Sequence, residues 1–328
     1  MSAILKTRID GPAAWVAKDF ENDTSWITHL SAENIADIDK AFATAQTKNL
    51  FFPKFTKDDF PIPSLMPRLA EFTKELETGC GFLLLRGLPV ERYTEDQIRI
   101  LYYAIGLHMG EPVGQNPKGD LLGNVMNVAD PNDKNSRVFE TNLYLPYHTD
   151  PSDVVGLLCL RKAKRGGLSS LVSVASIYNE ILAYHPELLG LFYKQYYYAH
   201  LGSGKPALSS LFNYHDGKLS CRYLRQYIEL GHEIMEHPLS AVEIEALDRF
   251  DEIMHREALR IDMMLEPGDL QFANNYAVLH SRTDFEDHAE EDKRRKMLRL
   301  WLKMPNARTA TAEFPGRNGF PVPASVFA

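Results

Sequence analysis

Residues 147–174 read YHTDPSDVVGLLCLRKAKRGGLSSLVSV, and this stretch decides the fold. Its two apolar runs, VVGLLCLR (154–161) and LSSLVSV (168–174), have strand length and are joined by a basic turn, KAKRGG, that ends in a glycine pair. Upstream, GFLLLRGL (81–88) reads as a buried strand, and Thr94 then opens a helix through about His108. Ser31 before Glu33, Ile35, Ile38 and Phe42 reads as a capped amphipathic helix. Downstream, two helical patterns run through about Tyr198, FNYHDGKLSCRYLRQYI (212–228) reads as a hairpin turning at Asp216-Gly217, and a helix spans 240–258. A second strand cluster follows, in LRIDMMLEPGDLQFANNYAVLHSR (259–282) and RKMLRLWLK (295–303). Two strand clusters separated by inserted helices predict an α+β protein on a β-sandwich or jelly-roll core. Between them and the first strand, GNVMNVAD (123–130) is strand-like and ADPNDKNSR (129–137) is an exposed polar loop.

Within the deciding stretch, His148 and Asp150 stand two apart on an extended segment, so both face one way and can chelate one metal ion. The triplet alone is weak evidence, because the chain holds four His-x-Asp/Glu triplets. The other three, starting at His185, His255 and His288, fall in helical or polar-loop contexts and read as solvated surface pairs. His280 closes the apolar run 276–279; it is either a third ligand or a structural histidine with internal partners.

In 295–302, strand alternation places Arg295, Met297, Arg299 and Trp301 on one face and mostly leucine on the other. A buried guanidinium needs an anion to offset its desolvation. Internal Asp or Glu partners serve that need, and so does a dicarboxylate ligand.

Composition narrows the classes. With 328 residues, 45% hydrophobic and 24% charged, the chain can bury a sizeable core. Its net charge of −8 gives no field for nucleic acid or anionic lipid. No stretch approaches the ~20 apolar residues of a membrane span, and Cys80, Cys159 and Cys221 form no CxxC pair, which fits a cytoplasmic protein. No G-x-G-x-x-G or P-loop sequence is present. Residues 1–75 read as an N-terminal segment wrapped on a single catalytic domain, 76–328. The run LFYKQYYYAH (191–200) is an internal helix face or a contact with a second copy of the chain, leaving homo-oligomerisation open.

Over roughly residues 80–303, the order HxD, small-residue turn, distal His, then Arg resembles the taurine dioxygenase (TauD/TfdA-like) family of Fe(II)- and 2-oxoglutarate-dependent oxygenases. The likeness is densest in YHTD…GGLSSLVSVASIYNE (147–180) and EPGDLQFANNYAVLHSR…RRKMLRLWL (266–302). It implies a double-stranded β-helix core with flanking and inserted helices. It implies His148, Asp150 and His280 as iron ligands, with Arg295 and Ser169 (or its neighbour Ser170) holding the far carboxylate of 2-oxoglutarate. Arg299 then faces the substrate or the near carboxylate. The implied reaction consumes O2 and 2-oxoglutarate, releases succinate and CO2, and oxidises a C–H bond of a small organic substrate. Hydroxylation is the leading outcome; desaturation, epoxidation or cyclisation are alternatives. In halogenase relatives the carboxylate position is small, so Asp150 argues against halogenation. Near the mouth, Asn127, Tyr144, Arg222, Arg225 and Asn275 are candidate contacts, each equally readable as a surface or core-capping residue. Arg222, Arg225 and Arg299 point to an anionic group on the substrate. A competing reading is a cupin-like metal-binding protein without catalysis, for which a zinc site lacks an evident fourth ligand.

Overall fold

A computed structural model describes residues 3–129, 138–199, 204–314 and 319–320. Eleven strands build two facing sheets: β1 (Ile27–His29), β2 (Phe82–Arg86), β3 (Glu111–Pro112), β4 (Leu122–Val125), β5 (Leu145–His148), β6 (Val154–Arg161), β7 (Ser169–Ser173), β8 (Arg260–Met263), β9 (Leu270–Asn274), β10 (Val278–Arg282) and β11 (Lys296–Lys303). The larger sheet has the order β1-β2-β9-β6-β11-β3, with β4 also on β11, and the smaller has β8-β7-β10-β5. Pairing is antiparallel throughout these two sheets except between β1 and β2. This is the expected α+β architecture, a jelly-roll core clothed in helices.

Period-two alternation explains the layers. On β11, Leu298, Leu300 and Leu302 face one core, while Met297 and Trp301 face the inside of the sandwich. The leucine face packs against α1 (Ala32–Thr47), α2 (Met66–Thr78) and α3 (Glu95–Met109). Each fully buried leucine there contributes about 1.5–3 kcal/mol. The outer face of the smaller sheet, with Tyr147, Val172 and Leu279, packs against α4 (Val174–Tyr184), α5 (Leu189–Tyr193), α6 (Arg225–Ile234) and α7 (Ala241–Met254). Between the sheets, Phe82, Val155, Ala273 and Trp301 meet Leu171 and Val278, so the space left for polar side chains lies toward the other end.

The helix signals behave as their capping chemistry demands. The Ser31 hydroxyl accepts from Asn34 N at 3.1 Å and that of Thr94 from Gln97 N at 3.3 Å. The hairpin pairs Phe212–His215 with Lys218–Cys221, and its turn residues Asp216 and Gly217 both have positive φ, at 49° and 76°. One expectation fails: the helical pattern does not reach Tyr198. Helix α5 stops at Tyr193, and Gln195–Tyr198 is a strand paired with Ala207–Ser210. Tyr196 and Tyr198 alternate inward to the core with Phe192, which explains the tyrosine run within one chain. The strand-like run at 123–130 is ordered as β4 only through Val125. Apart from Ala129, the polar loop 129–137 lies outside the described residues. Among the described residues no helix is long and apolar enough to cross a membrane.

At the N-terminus, β1 adds to the edge of the larger sheet beside β2, and Trp15 donates its indole N–H to Cys80 O at 2.8 Å.

Candidate active site

Strand β5 ends at His148, directly opposite His280 on β10, and the two rings lie 4.2 Å apart between centroids. Two residues on, the chain turns: Asp150 N donates to Asn275 Oδ1 at 3.0 Å, and Ser152 N to Asp150 O at 2.9 Å. Asp150 therefore faces the same way as His148. Its carboxylate lies 3.9 Å from His148 Nε2 and 3.6 Å from His280 Nε2. One ligand atom from each of the three residues lies within 4.8 Å of the others, and all three side chains are buried. Among the described residues no other group of His, Cys, Asp and Glu meets in this way, so the other three His-x-Asp/Glu triplets form no such cluster.

The electrostatics suit a metal. His148 Nδ1 sits 2.8 Å from Pro146 O, which fixes the proton there and leaves Nε2 as the donor atom. Burial pushes its imidazole down to about 4, with His280 adding to the effect, so the ring is neutral. Burial alone raises Asp150, but Arg299 and the two histidines outweigh it and hold the carboxyl below its usual range. Trp301 Nε1 donates to Asp150 Oδ2 at 3.0 Å, a charge-assisted bond of about 1.5–3 kcal/mol. Two imidazoles and one carboxylate, with no fourth protein ligand in the cluster among the described residues, match the open facial set of a non-haem Fe(II) site.

The same cavity continues to Arg295 and Ser169. Arg295 is buried, its guanidinium centre 5.2 Å from the Phe285 ring, and its Nη1 has no hydrogen-bond partner. Burial disfavours its charge. Alternation settles which serine is near: Ser169 lines the cavity and donates to Gln271 Oε1 at 2.9 Å, whereas Ser170 bonds Tyr147 and Asp262 on the opposite face. The glycine pair now has a physical reason. Gly166 and Gly167 have φ of 74° and 76°, and a Cβ at 167 would come within 3.3 Å of Arg295 Nε. An orphaned, buried guanidinium arm beside a hydroxyl fits a carboxylate ligand.

Arg299 also lines the cavity, but it is engaged by protein: Nε donates to Gln115 Oε1 at 2.8 Å, and Nη1 lies 3.8 Å from Asp150. Asn275 is a buried support for the Asp150 turn, donating also to Ser152. Arg225 pairs with Glu229, Asp248 and Asp251 on α6 and α7. Tyr144 bonds His255, and Arg222 lies over the Tyr198 ring. Neither these nor Asn127 lines the cavity. Of the three arginines that pointed to an anionic substrate, all meet protein partners and Arg299 alone lines this cavity.

Sequence reasoning missed Arg282, Trp301 and Gln115. Arg282 had a signal, standing two residues after His280 as Asp150 does after His148. Trp301 was on the right face but had no assigned partner. Gln115 had none, because its contacts reach 184 residues along the chain to Arg299.

The model of the family described as taurine catabolism dioxygenase TauD, TfdA family matches residues 46–301. The chain is 33% identical over 318 residues to FR-33289 synthase of Streptomyces rubellomurinus, covering 94% of each protein. It is 27% identical over 309 residues to the taurine hydroxylase-like protein SAT17 of Stachybotrys chartarum, covering 90% of this chain and 80% of that one. Among solved structures, asparagine oxygenase in complex with Fe(II), 2S,3S-3-hydroxyasparagine and succinate superposes with a TM-score of 0.68 at 18% identity, over 84% of this chain and 93% of that one. The non-heme iron oxygenase OrfP, in complex with Fe and alpha-ketoglutaric acid, gives 0.64 at 14% identity, over 84% and 93%. At these identities the structural likeness shows a common fold.

Proposed function

Because the chain belongs to the TauD, TfdA family, and with it is a non-haem iron, 2-oxoglutarate-dependent dioxygenase acting on a small molecule, we propose that His148, Asp150 and His280 hold its ferrous ion and that Arg295 and Ser169 take the far carboxylate of 2-oxoglutarate. When bound, iron and 2-oxoglutarate supply the oxidising power, O2 being consumed as the keto acid becomes succinate and CO2. The protein's part is placement. Pro146 O fixes the His148 tautomer, and Trp301 and Arg299 orient Asp150. Gln115, donating to Arg299 O at 2.7 Å and accepting from its Nε, keeps that guanidinium at the metal end. Val125, Phe139 and Leu145 add apolar wall to the cavity, which excludes water and suits an aliphatic carbon. Hydroxylation of a C–H bond is the outcome we assign.

The observation that carries this reading is the convergence of two imidazoles and one carboxylate at one end of a cavity whose other end holds a guanidinium with an orphaned arm. Iron-dependent release of succinate from 2-oxoglutarate by the purified protein, lost in His148→Ala, tests it; release that survives the substitution removes His148 from the metal. A panel of small molecules screened for stimulation of that release identifies the substrate.

The same reading takes the chain as one catalytic domain, 76–328, with 1–75 packed on it, supported by the pairing of β1 with β2. It also takes the protein as cytoplasmic, supported by the free thiols of Cys80 and Cys159.

A further inference from the structure

Arg282 has no part in the anion site as assigned above, yet it is built like a member of it. It lies opposite Ser169 in the register of β10 on β7, is buried, and lines the cavity. One arm is committed: Nη2 donates to the carbonyl oxygens of Thr141, at 3.2 Å, and of Leu143. The other arm, Nη1, is buried without a partner, as is Nη1 of Arg295. The two guanidinium centres share one ring, lying 4.6 Å and 5.2 Å from that of Phe285.

Two acids stand near these arginines. Asp284 acts on Arg282 and Asp287 on both arginines; Asp287 Oδ1 accepts from the backbone N–H of Arg295 at 2.7 Å, and its Oδ2 is buried and unpartnered. Neither acid supplies a hydrogen bond to the two free Nη1 atoms, which a ligand carboxylate can. A buried guanidinium arm left without a partner is costly, so a ligand carboxylate that reaches both arms is strongly favoured.

We infer that Arg282 is a positioning residue that couples carboxylate binding beside Arg295 to the placement of residues 139–145. Its free arm turns to the ligand while its committed arm holds Thr141 and Leu143, on the segment whose Phe139 and Leu145 wall the substrate side of the cavity. Asn142 and Phe285 tie the same segment to the strand end beyond Arg282, through Phe285 N to Asn142 O at 3.1 Å. The cosubstrate therefore builds part of the wall its partner substrate meets. This rests on the reading that the far carboxylate of 2-oxoglutarate lies at Arg295.

The test is hydrogen exchange on the iron-loaded protein under anaerobic conditions, with and without 2-oxoglutarate. Wild-type protein is expected to slow exchange in 139–145 by about tenfold on adding 2-oxoglutarate, within the range of coupled sites. Arg282→Gln is expected to lose that response while peptides around Ser169 and Arg295 stay protected by the ligand. Arg282→Lys, keeping the charge and one donor, is expected to fall between. Absence of any response at 139–145 in the wild type, or a full response in Arg282→Gln, overturns the coupling; the wild-type arm decides even if Arg282→Gln does not fold. An unchanged 2-oxoglutarate affinity in Arg295→Leu overturns the anion-site reading itself, and the inference with it.

Discussion

The two ends of the cavity are charged to opposite degrees of completion. At the metal end, the Asp150 carboxylate already has Trp301 at 3.0 Å and Arg299 at 3.8 Å, so its geometry is set before any ion arrives. At the anion end, Arg282 and Arg295 each keep a buried Nη1 without a partner. The difference teaches that rigidity and readiness are separate designs. A metal needs ligands held in place, whereas an anion subsite gains affinity by leaving a buried cation for the ligand to complete.

Substitutions at the metal end test the first half most severely. In Asp150→Ala, metal-dependent succinate release is expected to fall by about a thousandfold or more, as when one member of a set acting as a unit is removed; retained release would show that the preset carboxylate is not a ligand. At the anion end, Arg295→Leu is expected to weaken 2-oxoglutarate by about a hundredfold to a thousandfold, the size of a lost buried charge contact, while iron binding by equilibrium dialysis stays as in the wild type. Loss of both together would dissolve the distinction between the ends. Trp301→Phe removes the bond to Asp150 Oδ2 and trims the ring beside Arg299, and is expected to lower iron affinity about tenfold to a hundredfold, as other outer-shell changes do, with 2-oxoglutarate affinity little altered.

The smallest effect is in pH. Burial holds His148 down to about 4 against an ordinary 6.5. As pH falls from 6.5 toward 4, the unfolded chain takes up a proton that the folded protein refuses, so this residue lowers the stability of metal-free protein across that window. Thermal melts of the metal-free protein are expected to drop over that range and to drop less in His148→Gln. The neutral ring also keeps its ligand form through pH 5–7, so metal content is expected to hold there.

Much of this was legible because strands advertise themselves by period two. The face of β11 follows from its letters, and with it Arg295 and Arg299, as the pairing of His148 with Asp150 follows from their spacing; His280 as a ligand and Ser169 rather than Ser170 needed the family resemblance and the structure. The strand at 195–198 was not legible, since aromatic residues after an apolar helix fit either period until the core decides. Nor were Gln115 or the committed arm of Arg282, whose partners lie 184 and 141 residues away and are fixed only by the closed sandwich. Arg225 misled for the complementary reason: its cationic charge is visible in the sequence, but the helix acids that meet it are not.

The placement of His148 on β5 has a mechanical side. That strand is an edge member of the smaller sheet, paired among the described residues with β10 alone, with an irregularity in their register past His280. An ion gripped from both strands would rivet the hem to the cloth, so its removal should be felt as fraying along that border before it is felt anywhere in the helical layers.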